Sequence, residues 1–285
     1  MSGALRFTGK AASDSSGINV EGVTFTLNST NNTFVGISSN KGLYIGSSTG
    51  SALNFACSWC FKDDDQQQIN IGGTSKISVD FGSTTQLLSR ACAVNTKNTS
   101  YLTGEVGSLL QVKGGTKRGS DTVIADMTVS MPVKGGLGFH SLGNGPAKDG
   151  VVPAGSEDVF TLTGQHFESS GDLMVSGGTL ELAQGATWKN GTNFTARGTG
   201  TLKFAARGQV DRHFAHLHLE DKGLISIPKG VTLHFASADV NGVPVETGVY
   251  TGKATPDAAS ADIADRIVVG GTLKVGKFGL TLVVE

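Results

Sequence analysis

Three segments of this chain repeat one another: "GTLELAQGATW" begins at Gly178, "GTLKFAARGQV" at Gly200 and "GLISIPKGVTL" at Gly223. Their opening glycines lie 22 and 23 residues apart, and their second glycines, Gly185, Gly208 and Gly230, lie 23 and 22 apart. The apolar positions coincide as well: Leu180, Leu202 and Ile225, then Leu182, Phe204 and Ile227. Each unit reads as a short alternating strand, a glycine turn and a second short strand. A period in the low twenties with two or three short strands per unit is the requirement of a β-solenoid. Each coil would stack on the next through a ladder of about 4.8 Å spacing, with Leu, Ile, Val and Phe inward and Thr, Ser, Lys and Glu outward. A β-sandwich or jelly roll also gives many short strands, but it leaves the matched glycines unexplained.

Looser copies extend the pattern: "GALRF" at Gly3, "GVTFTL" at Gly22, "GLYIG" at Gly42, "SKISVDF" around Ile77, "GSLLQV" at Gly107 and "GGTLKV" at Gly270. The expected fold is therefore all-β, a right-handed parallel β-helix with coils of about 20–23 residues. About 13 such coils would stack to roughly 60 Å. Residues 134–158, "KGGLGFHSLGNGPAKDGVVPAGSED", read as a long loop or boundary between an N-terminal solenoid block, 1–133, and a C-terminal block with terminal cap strands, 159–285.

Composition agrees with strands and turns. Glycine numbers 41 and proline 6, while charged residues make up only 16% of the chain, so Ser, Thr, Asn and Gly take surface positions that a helical protein gives to Glu and Lys. The net charge of −1 supplies no long-range field for nucleic acid. No apolar run reaches the ~20 residues of a membrane-spanning helix. The start, "MSGALRFTGK", has neither the basic segment nor the apolar stretch of a signal peptide. It begins inside a strand pattern, which leads to the expectation of a piece of a longer protein with an upstream region missing.

Cys57 and Cys60 form "CSWC", and Cys92 stands alone. Zinc would need a second pair or suitably spaced histidines. An extended 57–60 segment would hold the first two Cα atoms roughly 10 Å apart, too far for a disulfide, whereas a tight turn or a bridge to Cys92 stays open. In "HFAHLHLED", strand alternation puts Phe214, His216, His218 and Glu220 on one face and Ala215, Leu217 and Leu219 on the other. The core claims the aliphatic residues, so the histidines face outward. His216 and His218, about 7 Å apart, could share a zinc ion only with a third ligand from the next coil, where Asp239 falls. His234 would serve only in an irregular coil. The expectation is an exposed polar row and no metal.

The closing segments resemble a known family. "VSGGTLELAQGATW" is similar to the autotransporter-associated β-strand repeat of bacterial surface proteins. "ASADVNGVPVETGVYTG" with "IVVGGTLKVGKFGLTLVVE" resembles the terminal element of such proteins in Verrucomicrobia, Planctomycetes and Lentisphaerae, through Val240, Asn241, Gly242, Gly248, Tyr250, Thr251, Gly270, Gly271, Thr272, Leu273 and Val275. The resemblance covers 171–285 and implies a secreted or surface-anchored bacterial β-helix. Relatives are often multidomain, and some carry polysaccharide-degrading modules.

The remaining candidates are scattered. Asp residues 63–65 could supply oxygens to calcium, but EF-hand and nonapeptide spacings are missing. The "GSSTG" at 46–50 matches a nucleophile elbow without the strand-to-helix turn that the motif needs. Glu181, Glu220, Asp211, Arg212, Arg197 and Lys203 could act on a polysaccharide, yet they form no recognisable catalytic set. Of the aromatic residues suited to sugars, Trp59, Trp188, Tyr44, Tyr101 and Tyr250, Trp188 occupies the repeat position of Val210 and Leu233 and so reads as core. The expected role is structural or adhesive, with an extracellular glycan or self-association as the partner and no cofactor. The alternatives are a polysaccharide lyase or glycosidase (or its accessory domain) on the same scaffold, and a self-assembling filament or coat subunit.

Overall fold

The computed structural model describes residues 18–20, 24–27, 43–45, 51–55, 69–71, 77–88, 101–114, 116–118, 121–123, 127–144, 158–163, 167–188, 190 and 193–276. These are mostly β-strand, and most of the strands belong to parallel sheets. Among the described residues there is no α-helix, only a 3-10 turn at Ile263–Arg266 capped by Asp262. No helix among them is long and apolar enough to cross a membrane.

Three sheets carry most of the protein, here A, B and C. Sheet A orders the strands Met127–Val129, Val159–Leu162, Thr179–Leu182, Thr201–Phe204, Leu224–Ser226 and Ile267–Val268. Sheet B runs from Thr24–Leu27 through Ser51–Phe55, Ile77–Asp80, Tyr101–Gly104 and Val133–Gly135 to Phe167–Ser169. Single-residue bridges then extend it from Phe167 to Trp188 and from Trp188 to Val210. Sheet C orders Thr85–Leu88, Leu109–Gly114, Gly138–Asn144, Leu173–Val175, Asn193–Ala196, His216–Leu219 and Ser237–Val240, then adds Val243–Pro244 antiparallel. From Met127 to Ser226 the chain passes from A to B to C and returns to A one place further on. A separate parallel sheet joins Ile18–Val20, Leu43–Ile45 and Ile69–Ile71.

Register follows the repeat. Leu180 pairs with Leu202 and Leu202 with Ile225, while Leu182 pairs with Phe204. Alternation makes these columns core: Leu180, Leu182, Leu202, Phe204, Ile225 and Ile227 are all fully buried. Each such side chain contributes about 1.5–3 kcal/mol of burial. Trp188 is also fully buried, its ring edge-on to Phe139 at 5.6 Å and its Nε1 donating to Gly171 O at 2.8 Å. A second aromatic group, Phe194, Phe204 and Phe235, closes with centroid separations of 6.1, 5.5 and 6.0 Å.

The two glycine columns have different physical causes except at Gly178, the first of the opening glycines, whose φ of +68° is left-handed like those of the second column. Gly185, Gly208 and Gly230 have φ of +89°, +73° and +80° with open space where a Cβ would stand, so the turn itself demands them. Gly200 and Gly223 have ordinary φ, but a Cβ there would lie 2.7 Å from Val175 O and 2.0 Å from Ala196 O of the preceding return. At that corner the next pass lies directly on backbone. Buried Gln209 fills the opposite corner, its amide N–H groups donating to Leu182 O, Ala183 O and Ala186 O while its Oε1 accepts from Ala206 N.

Part of the segment expected as a loop or boundary is strand. Residues 133–135 pair in sheet B with 102–104 on one side and 167–169 on the other, and 138–144 sit between neighbours in sheet C. Its glycines imitate a loop in the sequence because the returns touch so closely there: a Cβ on Gly138 would stand 2.7 Å from Asp172 O. Residues 145–157 lie outside the described residues.

The C-terminal element is antiparallel. Asn241 and Gly242, with φ of +52° and +76°, make the two-residue turn that folds Val243–Pro244 back onto Ser237–Val240. Two successive left-handed residues are the hairpin connection that suits strand twist. Gly248–Thr251 pairs antiparallel with Thr272–Val275, which in turn runs parallel to Thr232–Phe235. Arg266, fully buried, ties this excursion to the returns by donating from Nε to Ser260 O at 2.6 Å and from Nη1 to Gly223 O at 3.1 Å.

Candidate functional site

The outward face of sheet C carries the histidines. Ala215, Leu217 and Leu219 are fully buried, which turns His216 and His218 outward on the same strand. Register then fixes their neighbours: His216 lies between Asn193 and Ser237, and His218 between Thr195 and Asp239. His218 Nδ1 and Asp239 Oδ2 are 2.5 Å apart, and Asp239 Oδ1 accepts from Gly242 N at 3.2 Å. His216 Nδ1 is hydrogen-bonded to Ser237 Oγ. The adjacent return thus brings a carboxylate to one histidine and a hydroxyl to the other. His234 lies on another strand, its Nε2 on Gly276 O at 2.7 Å. Among the described residues there is no group of three or more His, Cys, Asp or Glu placed to hold a metal ion.

The other charged candidates disperse. Glu181 and Lys203 are register partners on sheet A and form an ion pair at 3.1 Å. Glu220 is exposed just beyond the histidine strand. The Tyr101 ring is covered by Lys134 Nζ, 5.2 Å from its centroid, and Tyr250 Oη donates to Glu246 O. Cys57, Cys60, Cys92, Trp59 and the candidates at 46–50 and 63–65 lie outside the described residues, as does the Tyr44 side chain.

One polar group escaped the sequence reading. His140 points out of sheet C yet is only 2% exposed. The Gln111 amide donates to its Nδ1 at 3.3 Å, which leaves the ring proton on Nε2, 2.7 Å from Ser176 Oγ. Arg197 Nε donates to the same Oγ at 2.8 Å. Burial first, and the Arg197 charge second, lower the His140 pKa from 6.5 to about 4. Ser176 therefore accepts two hydrogen bonds from a neutral ring and a guanidinium. A serine activated as a nucleophile would instead donate to the imidazole. The group ties four successive returns together rather than preparing an attack. Gln111 and His140 are 29 residues apart and His140 and Ser176 are 36 apart, so the repeat period flags neither contact, whereas Ser176 and Arg197, 21 apart, lie close to it.

Asp211 and Arg212 line a cleft of about 320 Å³ together with Gly208, Val210, His213, Thr232 and His234. Its origin is local. Trp188 and Phe194 are separated by six residues between sheets B and C, whereas the next pass separates Val210 from Leu217 by seven. The additional residue is thrown outward. Asp211 organises the resulting turn: its Oδ1 accepts from His213 N at 2.8 Å, and its main-chain oxygen accepts from Phe214 N and Ala215 N. Arg212 and His213 are exposed, as is Phe214 at 62%. No family model, no curated protein and no solved structure matches this chain.

Proposed function

We propose that sheets A, B and C are the faces of a right-handed β-solenoid, and that the chain is a secreted or surface-anchored bacterial scaffold with a structural or adhesive role toward extracellular glycans. The observation that carries this reading is the repeated A–B–C passage with in-register columns, buried inside and polar outside. Parallel strands joined by crossovers favour the right-handed sense. The paired terminal segments support the likeness to autotransporter-associated repeat proteins, because the residues shared with that element meet in space. Asn241 and Gly242 form one hairpin, and Gly248–Thr251 pairs with Thr272–Val275. The same arrangement argues against a filament that grows through this end. The last parallel strand of sheet C is covered by an antiparallel one that contains Pro244, a poor template for a further strand.

The test is to immobilise the protein and pass a panel of neutral and acidic polysaccharides over it, following retention, reducing ends and absorbance at 235 nm. Retention of at least one polymer without cleavage is expected. Turnover of any polymer would replace the scaffold with an enzyme, and passage of every polymer would remove the adhesive role.

A further inference from the structure

We infer that the cleft at residues 211–214 binds an acidic sugar unit, with the Arg212 guanidinium on the sugar carboxylate. This inference rests on the glycan-contacting reading above and assigns it a place. Arg212 makes one described hydrogen bond, from Nε to His213 Nε2 at 3.1 Å. Among the described residues no carboxylate approaches its guanidinium within 4.0 Å. Its two terminal nitrogens thus present a planar fork to solvent beside a concavity, the geometry that receives a carboxylate through two parallel hydrogen bonds. The bond to His213 holds that fork on a turn already organised by Asp211.

The rest of the cleft suits the hydroxyl-bearing part of a sugar. Asp211 has Oδ1 committed to His213 N while Oδ2 is an acceptor, and Thr232, which also lines the cleft, has a hydroxyl that can both donate and accept. Phe214, the next residue on the turn, is 62% exposed and sits edge-to-face with the His213 ring at 6.4 Å. An exposed phenyl ring beside a polar cleft is an apolar surface against which a pyranose can lie. At about 320 Å³ the space falls at the small end of ligand sites, enough for one or two sugar rings. An acidic peptide would supply the carboxylate but not the ring of hydroxyls, so a sugar is the better match.

The experiment is an amide NMR titration of the whole chain with trigalacturonate. Maltotriose, triglutamate and sodium sulfate serve as controls at equal concentration. Trigalacturonate is expected to shift the Arg212, His213 and Phe214 signals saturably, with the three controls at least about tenfold weaker. Arg212→Gln should weaken trigalacturonate binding by about tenfold, the order expected for loss of a charge-assisted pair. Phe214→Ala should weaken it by a smaller factor. The inference is overturned if shifts appear away from the cleft or nowhere, if Arg212→Gln binds as the parent does, or if triglutamate or sulfate competes equally. Absorbance at 235 nm in the same tube keeps the two readings apart: cleavage of bound trigalacturonate would refute the scaffold role and leave the site standing.

Discussion

Acidification should weaken this protein through the buried ring of His140. Burial, and behind it the Arg197 charge, hold the folded-state pKa near 4 against an ordinary value of 6.5. Between those two values the unfolded chain carries a proton that the folded chain refuses. Stability therefore rises with pH across the window, is complete above about pH 6.5, and is lost as pH falls toward 4. At about 1.4 kcal/mol per tenfold difference in proton affinity, the contribution lost by pH 4 is about 3 kcal/mol. The direct measurement is a ring-proton NMR titration, in which His140 should stay neutral to well below pH 5. Urea unfolding of the parent and of His140→Gln at pH 7.5 and pH 4 supplies the energetic counterpart. The parent should lose about 3 kcal/mol more than the variant between those conditions. A His140 that titrates at pH 6 or above, or equal losses in parent and variant, would show that the Gln111–His140–Ser176–Arg197 group is not closed as described.

The two glycine columns should respond differently to a methyl group. Gly223→Ala places a Cβ 2.0 Å from Ala196 O and should cost about 2–3 kcal/mol, whereas Gly230→Ala meets open space and should cost about 1 kcal/mol for its left-handed φ, both by chemical denaturation. Trp188→Ala should cost about 3–5 kcal/mol by removing a fully buried ring, while Trp188→Phe should lose chiefly the bond to Gly171 O, about 1–2 kcal/mol. Gly242→Ala should destabilise the terminal hairpin by about 1 kcal/mol, visible as faster amide exchange at Val240 and Val243.

Where the repeat is regular, the residues alone specify the structure closely. Leu180, Leu202 and Ile225 align in the sequence and pair in the sheet, and the copies starting near Gly22, Gly42, Ile77, Gly107 and Gly270 each contain a strand. The outward placement of His216 and His218 and the approach of Asp239 follow from alternation and period together. Where the returns lengthen, the signal fails. Phe139 pairs with Leu173 across 34 residues, so neither period nor glycine spacing announces that His140 and Ser176 meet. In "KGGLGFHS" the glycines that permit close approach look identical to glycines that make turns. The 211–214 cleft was also invisible, since it depends on one residue more between two sheets than the pass before it has.

The two glycines of each return have a further consequence for how such a chain can change its length. A segment that starts at Gly178 or Gly200 and stops before the next opening glycine carries one strand of sheet A, one bridging residue of sheet B, one strand of sheet C, one turn and one corner. Deletion of residues 200–222 would bring Gly223 directly after Thr199, leaving Leu180 and Leu182 to face Ile225 and Ile227 in unchanged phase. Duplication of the same residues would add one level of about 4.8 Å. Length is then an inheritable dial with a step of one return, and because residues 200–222 hold both the His216–Leu219 strand and the Asp211–His213 turn of the cleft, this deletion would remove the two together and this duplication would present them twice.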